Sequence, residues 1–82
     1  MRNKINLMGI KDINKFVDIC MKINGKIELF CPKNGYRVNA KSLLGVLATT
    51  DWEDTWIDSE KDIYFEIERW VVLGEDSGNI HN

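Results

Sequence analysis

The sequence predicts a single α+β domain whose elements follow the order strand, helix, strand, strand, helix, strand, helix. Three observations support this prediction. Apolar residues between positions 13 and 21 recur at helical spacing, residues 26–31 alternate between apolar and polar side chains, and Asn34-Gly35 marks a tight turn between two strand-like runs. A chain of 82 residues, 44% of them apolar and 29% charged, has room for one such core.

The first part of the chain predicts a short strand and an amphipathic helix. We place the strand at Lys4–Met8 and the helix at Asp12–Ile23, with Asp12 as the residue that caps it. Asn24-Gly25 comes next and is typical of a left-handed C-terminal cap. One helical stripe holds the apolar side chains that should face the core, namely Ile13, Phe16, Val17, Cys20 and Met21.

Two further strands are expected to form a hairpin around Asn34-Gly35. We predict the second strand at Lys26–Cys31, because its apolar residues alternate, and the third at Tyr36–Asn39. In this phase Phe30, together with Trp56 of the fourth strand, lies on the open face of the sheet as a candidate partner or self-association patch. In the opposite phase both rings belong to the core. The residues that face the helices in the first phase are Ile27, Leu29 and Cys31.

A short second helix is predicted at Leu43–Leu47. Ser42 lies directly before it, where its hydroxyl can accept a hydrogen bond from an unpaired amide of the first turn. The helix contains more apolar side chains than one buried face can use, so some of them should point into solvent. These side chains are Leu43, Leu44, Val46 and Leu47.

The last part of the chain predicts a strand, a helix and a tail. Trp52–Asp58 is the fourth strand, and Ser59 begins a capping box for a helix at Lys61–Val72. The alternative for Ile63–Val71 is a strand, because the same run also alternates and is rich in β-forming residues. Residues 1–73 then form the domain, and residues 74–82, which lack an apolar period, form a flexible tail.

Two segments of the chain resemble the histidine-containing phosphocarrier protein (HPr) family of the sugar phosphotransferase system. Residues 38–46, Val-Asn-Ala-Lys-Ser-Leu-Leu-Gly-Val, with the preceding Asn34-Gly35, are similar to the phosphoserine region of that family. Gly9-Ile10 is similar to the start of its active-site motif. The likeness is close from residue 9 to residue 47 and topological after that. It implies an open-faced β-sandwich, in which a four-stranded antiparallel sheet carries three helices on one face.

The resemblance places Lys11 at the position of the family's catalytic histidine, 31 residues before Ser42. A neutral imidazole can attack a phosphoryl group, whereas a lysine with a pKa of about 10.4 is protonated and has no free lone pair. Ile13 stands where the family has an arginine that holds the phosphate, and Asn14 where a proline usually follows. We therefore expect neither an enzyme nor a phosphocarrier. His81 in the predicted tail is not expected to substitute, and a carrier that uses another group is the remaining catalytic alternative.

Ser42 matches a serine that a dedicated kinase phosphorylates in many members of the family, and Leu43, Leu44 and Leu47 match positions that contact partners. The resemblance thus implies a non-catalytic regulatory or accessory protein, controlled by phosphorylation of Ser42, with protein partners such as a serine kinase or a transcription regulator. In the simpler alternative Ser42 is only an N-cap, worth about 1 kcal/mol, and the leucines pack in the core. The alternative function is an adaptor that kept the fold without any phosphotransferase link.

Composition limits the other classes of function. A formal net charge of −2 does not favour a nucleic-acid-binding protein, which usually has a basic stripe. No apolar run approaches the roughly 20 residues that span a membrane, and no signal-like segment opens the chain, so we expect a cytoplasmic protein. The two cysteines fit small core residues of a reducing compartment and, with one histidine, give too few ligands for a metal site. No cofactor, metal or small-molecule substrate is expected.

Overall fold

The computed structural model describes residues 1–74 and confirms the α+β class. Four strands form one antiparallel sheet in the order β1-β4-β2-β3, and three helices complete an open-faced sandwich of the HPr type. Two 3-10 turns, Ala48–Asp51 and Glu68–Trp70, follow the second and third helices. The strands and helices are β1 Arg2–Ile5, α1 Ile10–Met21, β2 Ile27–Phe30, β3 Arg37–Asn39, α2 Leu43–Leu47, β4 Thr55–Ser59 and α3 Tyr64–Ile67.

The predicted phase of β2 is confirmed by the burial of alternate residues along the sheet. Leu29 lies opposite Val38 in β3 and opposite Ile57 in β4, and the side chains of Leu29 and Ile57 are completely buried. The same core contains residues from all three helices, so the helices cover this face of the sheet. Those helical residues include Phe16, Val46 and Ile67.

Helix α1 starts two residues earlier than predicted and buries the expected stripe. Its N-cap is Gly9, which has a φ of 95° that only glycine adopts without strain, so Asp12 lies inside the first turn. From there the Asp12 carboxylate accepts a hydrogen bond from the Met8 amide at 2.8 Å. Met21 is the exception in the predicted stripe, since it is 63% exposed at the end of the helix.

Strands β1 and β4 are displaced from their predicted positions. β1 was expected at Lys4–Met8 but pairs with β4 from residue 2 to residue 5, which buries Asn3 and Ile5. β4 was expected from Trp52, but the 3-10 turn after α2 lengthens the connection and the strand begins at Thr55. Two of the acidic residues that disfavour a strand, Glu53 and Asp54, therefore lie in the connection, whereas Asp58 is part of β4.

The last helix is shorter than the predicted Lys61–Val72, because α3 makes one turn and continues as a 3-10 turn. The predicted capping box is wrong: Ser59 is the last residue of β4, and its hydroxyl donates a hydrogen bond to the Lys61 carbonyl. The strand alternative for Ile63–Val71 is also wrong, although Val71 forms an isolated antiparallel bridge with Ile5. The apolar spacing still identified the buried positions Ile63, Ile67 and Trp70.

Both cysteines are free and buried, as core residues should be. Burial raises the pKa of the Cys20 thiol to about 12, although the charge of Lys41 acts in the opposite direction. The rest of the predicted tail beyond Gly74, including His81, lies outside the described residues.

Candidate functional site

Ser42 is the N-cap of α2, as the sequence predicted. Its backbone is extended, and its Oγ accepts a hydrogen bond from the Gly45 amide at 3.1 Å. The corner before it is also fixed locally, because the Ser42 amide donates to the Asn39 carbonyl and the Asn39 side chain accepts from the Lys41 amide. The hydroxyl of the half-buried Ser42 is therefore held at the N-terminal end of a short helix.

The apolar residues of α2 divide between the core and the solvent. Val46 is completely buried, whereas Leu44 is 80% exposed and Leu43 is 42% exposed. Leu47 is half-buried and packs against the core. Of the three predicted partner-binding leucines, Leu44 thus lies mainly in solvent and Leu43 partly so. We call Leu43, Leu44 and Leu47 the α2 patch.

Lys11 and Ile13 have opposite environments. Lys11 is exposed in the first turn of α1, whereas Ile13 is 2% exposed and belongs to the core. A side chain at position 13 is therefore directed away from the solvent that Lys11 faces. The positions that correspond to the nucleophile and to the phosphate-holding arginine are not brought together on one surface in this chain.

Three exposed apolar side chains near α1 escaped the sequence analysis. Met8 and Ile10 flank the start of the helix at 73% and 55% exposure, and Met21 ends it. Because α1 packs against α2, these residues enlarge the apolar surface of the helical layer. Lys41, just before α2, is tied to the segment that follows α1, since its Nζ donates to the Ile23 carbonyl at 2.6 Å. The sequence did contain a sign that α1 begins earlier than predicted, because Ile10 precedes the first buried residue of the stripe, Ile13, by about one helical turn.

Charge is distributed unevenly along the chain. Nine of the eleven Lys and Arg residues lie in residues 1–41, and ten of the thirteen Asp and Glu residues lie after them. Lys11 and Lys15 are exposed on α1, and Lys22, the exposed C-cap of this helix, is paired with Asp18 at 3.2 Å. The outer surface of α1 therefore combines positive charge with exposed apolar side chains.

The aromatic pair on the open face of the sheet is covered by arginines. The ring centroids of Phe30 and Trp56 are 6.3 Å apart, which confirms that both lie on this face, and both rings are half-buried. The guanidinium groups of Arg2 and Arg37 lie 5.2 Å and 4.9 Å from the Phe30 centroid. The expected exposed aromatic patch is thus partly shielded from solvent.

Ion pairs hold those arginines in place. Arg37 contacts Glu28 at 2.7 Å and Asp58 at 3.3 Å, and Arg2 contacts Asp58 at 3.3 Å. Burial raises the pKa of Asp58, but the hydrogen bonds and charges of Arg37 and Arg2 outweigh it, so this pKa lies below its usual value. The charges on this face are satisfied within the chain.

Within residues 1–74, no group of three or more His, Cys, Asp or Glu side chains could hold a metal ion. None of the helices in this range is long and apolar enough to cross a membrane. No protein-family model, no curated protein and no solved structure matches this chain.

Proposed function

We propose that this chain is a non-catalytic, HPr-like regulatory or accessory protein of the cytoplasm that acts through protein contacts at the α2 patch. The observation that supports the proposal best is the exposure of Leu44 and Leu43 immediately after Ser42. These are the positions at which the resemblance to HPr implies partner contacts.

A partner that binds the α2 patch would remove exposed leucine surface from water. Moving a leucine side chain out of water gains on the order of 1.5–3 kcal/mol, and most of the Leu44 side chain is still in water. The Ser42 cap and the buried Val46 hold the backbone of α2 in one conformation. Binding at the α2 patch would therefore cost little conformational entropy of the backbone. Positive charge on α1 favours a partner whose contact surface is apolar with an acidic border.

Loss of phosphocarrier chemistry follows from both altered positions. Lys11 places an exposed amine where the family has the imidazole that acts as the nucleophile of the carrier reaction. Ile13 offers no hydrogen-bond donors and is buried in the core, so this side chain cannot stabilise the charge of a transferring phosphoryl group.

Phosphorylation of Ser42 would act directly on the α2 patch. A phosphate adds a charge of about −1.5 to −2 at neutral pH, beside two exposed leucines. One phosphate oxygen could keep the bond from the Gly45 amide that the hydroxyl accepts now. The helix would therefore persist while the patch changed from apolar to amphipathic, which would favour a different partner.

Incubation with ATP and a serine kinase that phosphorylates ordinary HPr tests this proposal. We expect one acid-stable phosphate, detected by intact mass and mapped to Ser42, and none on Ser42→Ala. The matched control is Thr50→Ala, which removes a different exposed hydroxyl close to α2, one that donates to the Leu47 carbonyl at 2.9 Å. If ordinary HPr is labelled in the same tube and the native chain is not, regulation by phosphorylation of Ser42 is contradicted. The alternative function, an adaptor without a phosphotransferase link, would then stand.

A further inference from the structure

The chain returns to the sheet after its last 3-10 turn and covers the outer edge of β1. The Asn6 amide donates to the Trp70 carbonyl at 2.8 Å, and the Val72 amide donates to the Lys4 carbonyl at 2.9 Å. Between these two bonds, Val71 forms an antiparallel bridge with Ile5. We call residues 70–72 the strap, since they occupy the edge like a short fifth strand.

The strap has one firmly held end and one weakly held end. Trp70 is 4% exposed and packs edge-to-face on Phe16, with the ring centroids 5.5 Å apart. Past Trp70, Val71 bridges to Ile5 and the Val72 amide bonds to the Lys4 carbonyl, while both side chains are only half-buried. The next residue, Leu73, is 82% exposed. Opening should therefore begin at Val72 and stop at Trp70.

The edge that the strap covers is suited to pairing with another strand. An uncovered β1 would present the Lys4 carbonyl and the Asn6 amide, next to the nearly buried side chain of Ile5. Positive side chains often protect such edges, but here Lys4 is paired with Asp54 at 3.1 Å and Arg2 with Asp58. These pairs reduce the repulsion that two copies would otherwise feel.

We propose that the strap keeps the chain monomeric by occupying the β1 edge in place of a second copy. When the weakly held end opens, β1 strands of two copies pair antiparallel in a symmetric, self-complementary contact. The opposite edge of the sheet, β3, has only three residues and forms a poorer template. The strap is thus an internal competitor for self-association, and this role does not depend on the proposed function.

Amide hydrogen exchange of the full native chain tests the opening without any substitution. We expect the Val72 amide to exchange at least about tenfold faster than the Asn6 amide. The Asn6 amide bonds to the carbonyl of the anchored Trp70, whereas Val72 lies past that anchor. Equal exchange of the two amides would show that the strap opens only with the whole domain, which would overturn the proposal.

Val72→Pro in the full chain tests the guarding role, because proline removes the N–H that bonds to Lys4. The weight-average mass, measured by light scattering over a range of concentrations, should double for Val72→Pro. The native chain and the matched control Leu73→Pro should keep the mass of a monomer. If Val72→Pro fails to fold, Val72→Gly, which weakens the strap and keeps the N–H, should self-associate more than the native chain. A folded strap variant that remains monomeric throughout would overturn the proposal.

Discussion

Arginine cannot be restored at position 13 without damage to the core. Ile13→Arg removes an isoleucine that is 2% exposed, and deletion of such a side chain alone typically costs about 2–5 kcal/mol. A buried, unpaired guanidinium would add several kcal/mol. Ile13 also lines an open cleft of about 380 Å³. The longer arginine side chain could reach water through this cleft, which would reduce the cost of burying its charge. We therefore expect a loss of about 3 kcal/mol, a large share of the roughly 4–12 kcal/mol typical for 82 residues.

Urea unfolding followed by tryptophan fluorescence, to which the buried Trp70 contributes, measures this loss directly. The matched control is Asn14→Arg, which adds the same side chain at the next, exposed position of α1 and should change stability by less than about 0.5 kcal/mol. An Ile13→Arg variant within about 1 kcal/mol of the native chain would refute the reasoning. It would mean that position 13 can present a side chain to solvent and that a phosphate-holding residue could work there.

Three further predictions concern single residues. Ser42→Ala should lower the free energy of unfolding by about 0.5–2 kcal/mol, because the Gly45 amide loses its acceptor, and thermal unfolding can measure this. Burial raises the pKa of Cys20 from 9.0 to about 12, so the unfolded chain releases this proton first and stability should fall as the pH rises above about 9. Urea unfolding of Cys20→Ala should lack that contribution, which has a slope of at most about 1.4 kcal/mol per pH unit. Arg37→Gln should raise the pKa of Asp58 toward its usual value, as measured by NMR titration; an unchanged pKa would show that the ion pair is not formed in solution.

Local signals in the sequence were enough for β2 and α2. Alternation fixes which face of β2 is buried, and Ser42 followed by four apolar residues in five fixes the start of α2. The same count predicted that some of these side chains are exposed, because one face of a five-residue helix cannot bury them all, and Leu44 is the most exposed of them. The part of the candidate site that is built from neighbouring residues was therefore predictable.

Elements whose limits depend on distant contacts were not predictable in the same way. The apolar spacing of Ile63, Ile67 and Trp70 fits a long helix equally well, and the packing of Trp70 on Phe16 allows a shorter one. The strap is invisible locally, because Val71 bridges a residue 66 positions away in the sequence. The burial of Ile13 was predicted from its place in the α1 stripe and is confirmed, although the family that the chain resembles has an arginine at that position.

Phosphoryl transfer from phosphoenolpyruvate, through the first enzyme of the phosphotransferase system, tests the central claim most directly. The chain is incubated with both, beside ordinary HPr as a positive control, and the acid-labile phosphate is counted by intact mass. The account predicts labelled HPr and an unlabelled chain, because Lys11 replaces the nucleophilic imidazole and Ile13 offers no donors. Acid-labile phosphate on the native chain would contradict it, and its persistence in Lys11→Ala would locate the carrier at another residue.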